Sequence, residues 1–128
     1  MGATAAEEKT PLFVLRKPRD FWWPVKVPIP QDGDYLLARL DVLFAALRQD
    51  EIDRMKGVGL ADGQKPPTDR EIALRVVRGW RELQGEDGNP VPFSAEALEQ
   101  LLLEPAMRTA IVMTYLAAVS GLAARKNA

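Results

Sequence analysis

The sequence predicts an α+β fold: a small antiparallel sheet of two to three N-terminal strands with a C-terminal cluster of three to four helices. Three observations predict it. Apolar residues alternate with a period of two over Asp20 to Pro30, an Asp-Gly turn follows at Asp32-Gly33, and strong helix-capping signals fall later, at Thr68 and Ser94. At 128 residues the chain has the size of one domain, and such a domain buries roughly two-thirds of its unfolded surface. The expected division is a disordered tail over 1–10 and a single domain over 11–128. Within the domain, 11–47 is β-rich, 48–56 a short helix, 57–67 a flexible loop and 68–128 the helical part.

Leu12 to Arg16 is a short apolar run closed by Pro18, which predicts a first strand. In the next segment Phe21, Trp23, Val25, Val27 and Ile29 share one face, while Trp22, Pro24, Lys26, Pro28 and Pro30 share the other. The prolines all carry even numbers, so they remove N–H donors from one edge of the strand only. Such a strand pairs on one side and is expected at the edge of its sheet. Tyr35 to Leu47 fits two patterns. Leu36, Leu40, Leu43, Phe44 and Leu47 suit a helix face; Leu36, Ala38, Leu40, Val42 and Phe44 suit a strand.

Gln49 to Lys56 reads as a short helix ended by Gly57, followed by a Gly- and Pro-rich loop to Pro67. Thr68-Asp69-Arg70-Glu71 is a capping box. The helix it opens is expected to bury Ile72, Val76 or Val77, and Trp80, and to end near Gln84-Gly85. A turn-rich loop over Glu86 to Pro90 and an extended Val91-Pro92-Phe93 lead to Ser94, the cap of a helix through Leu103. Pro105 suits the first turn of a last helix running to about Ala124. That helix is apolar around most of its circumference, which suits a core element or one that shows an apolar face to a partner.

The charges nearly cancel, 17 basic against 18 acidic residues, and Arg16, Lys17 and Arg19 form the densest basic group. Nucleic-acid binding draws on longer basic surfaces, so it is not expected. The chain has no cysteine and no histidine, which removes thiolate nucleophiles, disulfides, imidazole bases and the usual zinc sites together. Ser94 is a cap rather than a nucleophile. Glu86-Asp87-Gly88-Asn89 lacks the alternating oxygen ligands of a calcium loop, and Gly57-Val58-Gly59 lacks the lysine of a phosphate loop. A non-enzymatic protein without cofactor or metal is expected. Ala110 to Ala124 falls short of the ~20 apolar residues of a membrane span. With Glu7 and Glu8 near the N-terminus in place of a signal peptide's basic start, a cytoplasmic, membrane-free location is expected.

Gly79-Trp80, then Asp87-Gly88-Asn89-Pro90-Val91-Pro92-Phe93-Ser94, a leucine-rich helix, a helix holding Tyr115, and a terminus ending Lys126-Asn127 occur in that order over Arg78 to Asn127. In this order and spacing the chain resembles the tail assembly chaperones of proteobacterial phages and prophages. Val25-Lys26-Val27-Pro28 and the Phe44 to Glu51 region resemble that family more loosely. The resemblance implies that Ala38 to Phe44 is a strand pairing with Val25 to Ile29. It also implies a function: binding the long, hydrophobic tape measure protein, and possibly the tail tube protein, in the host cytoplasm, and leaving before the particle is finished. The motif residues Trp80, Gly88, Pro90, Pro92, Ser94 and Pro105 are expected to be structural, with Trp80 in the core. Exposure arguments, rather than the family motif, put partner contact at Trp22, Trp23, Phe93 and Tyr115. The alternative role is a structural virion protein of the tail or the head–tail connector.

Overall fold

The computed structural model describes residues 10–122 and 124. The tail expected over 1–10 therefore falls, except for Thr10, outside the described residues. In chain order the elements are β1 (Phe21–Gln31), β2 (Asp34–Phe44), α1 (Gln49–Met55), α2 (Asp69–Val76), β3 (Val77–Arg81), α3 (Ala95–Leu101) and α4 (Pro105–Val119). This is an α+β fold with one three-stranded antiparallel sheet in the order β1-β2-β3.

The hairpin follows from its sequence. Asp32 (φ 47°) and Gly33 (φ 84°) both take positive φ, the signature of the tight turn whose twist matches the strands it joins. Pairing runs unbroken from Gln31↔Asp34 to Phe21↔Phe44. Val25 and Val27 pair with Leu40 and Ala38, so the odd residues of β1 and the even residues of β2 share the inward face. Tyr35 to Phe44 is thereby a strand, because β2 is central and its even residues gain burial on both sides. β1 lies at the sheet edge, where proline is tolerated.

Three expected elements differ. Leu12 to Arg16 is not a strand; Pro11 to Asp20 holds no regular structure, and the run stands in solvent. The helix expected to run to Gln84 stops at Val76, and the chain turns at once into β3. The misreading has a physical cause. A β-bulge where β3 meets Leu43 and Phe44 shifts the register, so Phe44 pairs with Val77 and Val42 with Trp80. Val77 and Trp80, three apart, therefore both turn inward, which reproduces helical spacing inside a strand. The last helix is also shorter than expected: it ends at Val119, with Ser120 at the C-cap and Gly121 at φ 72° beyond it.

The core is the inward sheet face against α2, α3 and α4. Val25, Val42, Phe44, Val76, Leu102, Ile111 and Tyr115 have essentially no exposed surface. The capping box is formed: Thr68 Oγ1 accepts from the Glu71 N–H at 3.2 Å, and the Thr68 N–H donates to Glu71 Oε1 at 2.9 Å. Ser94 Oγ accepts from the Ala97 N–H at 3.0 Å, and Pro105 opens α4. Arg75 with Glu51 ties α2 to α1, and Arg70 with Glu99 ties α2 to α3. α3 and α4 meet at 107°, and no single helix among the described residues is long and apolar enough to cross a membrane.

Candidate binding surface

The Gly-Trp and Asp-Gly-Asn-Pro motifs come together as one structural unit. The Trp80 indole N–H donates to the Val91 carbonyl at 2.8 Å, and Phe93 meets the Trp80 ring edge-on with centroids 4.9 Å apart. Gly88 takes φ 81°, and Asp87 accepts from the Asn89 N–H and side-chain amide, both at 3.0 Å. Gln84 and Pro90 bridge the neck of this loop, and Ser94 caps the next helix. Pro92 continues the extended stretch between Pro90 and the cap. These residues hold Trp80 in the core and aim α3.

The residues assigned to partner contact separate into two groups. Trp22 (42% exposed), Trp23 (37%) and Phe93 (38%) reach the surface. Trp22 lies on the outward sheet face with the Arg81 guanidinium 4.2 Å above its ring. Trp23 belongs to the inward face at the start of β1, in a cleft with Phe21, Leu47 and, from the end of α4, Ala118 and Val119. Tyr115 does not reach the surface. Its exposure is 0%, its ring packs on Phe44 and Phe21, and its hydroxyl donates to the Ala45 carbonyl at 2.8 Å and accepts from the Leu47 N–H at 3.3 Å. It is a core residue that closes the chain after β2, and the assignment to partner contact is corrected accordingly. Its place on an almost wholly apolar helix concealed this, because such a helix gives no amphipathic signal to tell inside from outside.

The sequence did not point to a further, large concave surface among the described residues. Between the turn end of β1–β2 and the start of α4 lies an open groove of about 970 Å³. Its walls are mainly carbon: Val27, Ile29 and Pro30 from β1, and Met107, Ala110 and Met113 from α4. Ile29, Tyr35 and Met113 are 42, 68 and 64% exposed around it. The charged groups on its lining are Lys26 and Glu104. A volume of this order suits apolar side chains from a bound segment.

Reactive chemistry is sparse. Among the described residues no charged side chain is buried, the Tyr115 hydroxyl and Trp80 indole N–H are hydrogen-bonded within the core, and no three acidic, histidine or cysteine groups converge as metal ligands. The shifted titrations are structural. The hydrogen bond from Arg39, helped by Arg81, holds the Asp41 carboxyl below its ordinary range. Backbone N–H groups do the same for Glu71, at Thr68, and for Asp87, at Asn89. Burial raises the Tyr115 phenol. What the arrangement can do is hold apolar groups. No family model, curated protein or solved structure matches the chain.

Proposed function

We propose that this chain is a phage tail assembly chaperone that binds the tape measure protein, keeps it soluble in the host cytoplasm while the tail tube assembles, and departs before the particle is complete. The observation that carries this reading is the open apolar groove between β1 and α4, found in a chain whose motif order resembles that family. A groove walled by Val27, Ile29, Met107 and Met113 accepts the apolar stripe of an amphipathic helix without needing directional bonds. Methionines at such a surface adapt to varied client side chains. Trp22 and Trp23 offer a second, separate aromatic surface at the start of β1.

Co-expression with a tape measure protein tests the reading. The client should move from the pellet to the soluble fraction with the native chain, and less so with Met113→Lys, whose exposed position tolerates the change. A client no more soluble with the native chain than without it overturns the proposal. One feature favours a second reading, a structural subunit of the tail or connector: the exposed run Leu12 to Leu15 is the kind of arm that links copies in an assembly. Mass spectrometry of purified particles separates the two, since a structural subunit stays in many copies and a chaperone does not.

A further inference from the structure

We infer that the outward face of the sheet docks an acidic amphipathic helix of a partner protein, two of whose carboxylates, one turn apart, are gripped by the Arg39 and Arg81 guanidiniums. This surface lies across the sheet from the core helices and is distinct from the groove, so the inference goes beyond the client reading and does not depend on it. The even residues of β1 and the odd residues of β2 point away from the core, and Tyr35, Leu37 and the Arg39 side chain are 68, 62 and 67% exposed there.

The charges on this face do not balance. Lys26 pairs with Arg39 across β1 and β2, and Arg81 pairs with Asp41 across β2 and β3. The two-residue turn makes Gln31↔Asp34 the first hydrogen-bonded pair, so Lys26↔Arg39 falls among the alternate, closer pairs, with Cα atoms about 4.5 Å apart. Like charges directly opposite each other work against pairing. Asp41 meets Arg39 Nε at 2.9 Å through one oxygen and Arg81 Nε at 3.5 Å through the other, so both its oxygens are engaged before Lys26 is counted. Glu82 borders the same hollow, of about 570 Å³, but forms no ion pair with either guanidinium. A breach of the local pairing rule that brings the fold no gain marks a surface kept for another purpose.

The two arginines are already ordered. Each turns its Nε to Asp41, which leaves the paired amino groups at its tip without a protein partner among the described residues. The Trp22 ring backs Arg81, 4.2 Å from its guanidinium carbon. A guanidinium fork that is positioned but unoccupied suits a carboxylate at two points, and prior ordering lowers the cost of binding. The cations, one on each strand, span only roughly 10 Å across the sheet, which fits one or two carboxylates better than a long track of phosphates.

Apolar rows bound this cationic band along the strands, Trp22 with Leu43 on one side and Pro28 with Leu37 on the other. Leu43 and Leu37 are six strand residues apart, roughly 20 Å, the length of about 14 helical residues. A helix lying along the strands therefore sets apolar side chains on both rows and its central acids on the arginines. It also arrives with its amides paired, whereas an extended segment finds no backbone partner on the face of a sheet.

Fluorescence anisotropy of labelled synthetic peptides against the full chain tests the inference. A helical peptide of about 14 residues, with two central glutamates one turn apart and leucines toward both ends, should bind. Replacing both glutamates by glutamine should weaken binding about tenfold. Arg39→Gln and Arg81→Gln should each weaken the glutamate peptide about threefold and leave the glutamine peptide unaffected. Met113→Lys, which alters the groove, should change neither. No binding, equal affinity for the two peptides, or arginine variants that weaken both alike overturn the inference, as does loss of binding in Met113→Lys. Tighter binding of a single-stranded oligonucleotide or of anionic vesicles also overturns it, and so does a native dimer in light scattering that Arg39→Gln dissociates. The assay contains no client, so its failure leaves the chaperone reading standing, and a failed co-expression leaves this inference standing.

Discussion

Replacing Tyr115 by phenylalanine removes one oxygen from the centre of the molecule and leaves its ring contacts with Phe44 and Phe21 in place. That oxygen serves two backbone groups after β2, the Ala45 carbonyl at 2.8 Å and the Leu47 N–H at 3.3 Å. Ala45 is buried, so its carbonyl would lose a partner that water cannot readily replace; Leu47 is half-buried and its bond is long, so its share is small. An unsatisfied buried polar group costs about 1–3 kcal/mol. At roughly 3–6 °C per kcal/mol for a domain of this size, a 2 kcal/mol loss lowers Tm by about 6–12 °C. The pH dependence gives a second, independent check. Burial raises the Tyr115 phenol above its ordinary value of 10.0, so the folded state holds the proton more tightly than the unfolded chain. The stability linked to this group is fully present below pH 10 and is lost as pH rises through the higher folded value. The native curve should therefore fall above pH 10, the Tyr115→Phe curve should not share that component, and the two should converge. Urea unfolding followed by tryptophan fluorescence, near neutral pH and above pH 10, measures both. A variant within about 0.5 kcal/mol of the native chain at neutral pH, or a parallel pair of curves, refutes the reasoning.

Ser94→Ala should cost about 1 kcal/mol through loss of the α3 cap, seen as a lower thermal midpoint with no change in the native circular dichroism spectrum. Asp41, Glu71 and Asp87 all have folded pKa values below their unfolded ones, so the stability they contribute is present above about pH 4–5 and is lost as pH falls through the lowered values. Arg39→Gln should shallow that acid loss in a series of melting curves by releasing Asp41. Trp22→Ala should leave stability within about 1 kcal/mol, since its Arg81 contact is exposed, yet reduce client recovery in the co-expression assay.

β1 and its turn were legible in the sequence because alternation, proline parity and the Asp-Gly turn report the same geometry at different levels, whereas the residues of β2 fit a helix and a strand alike and its pairing came only from the resemblance. The caps at Thr68 and Ser94 were legible because each needs only a few neighbouring residues. β3 was not. Its Val77 and Trp80 face inward only because the register shifts against Leu43 and Phe44, and a pairing irregularity between distant segments leaves no local trace. Leu12 to Leu15 failed for the opposite reason: a strand-like pattern needs a partner edge, and the sheet edge nearest in sequence is the proline-bearing one. Of the candidate surface, Trp22, Trp23 and Phe93 were found from the chain, while the groove required knowing that α4 crosses β1.

The even-numbered prolines of β1 also make the molecule selective about the conformation of whatever touches it. An extended polypeptide arriving at that edge gains few main-chain bonds and must give up its own hydration to approach. A helix arrives with its amides already paired and gives up little. Contact there ranks incoming segments by secondary structure before any side chain is compared, which disfavours growth of a sheet on this surface however much greasy chain is nearby.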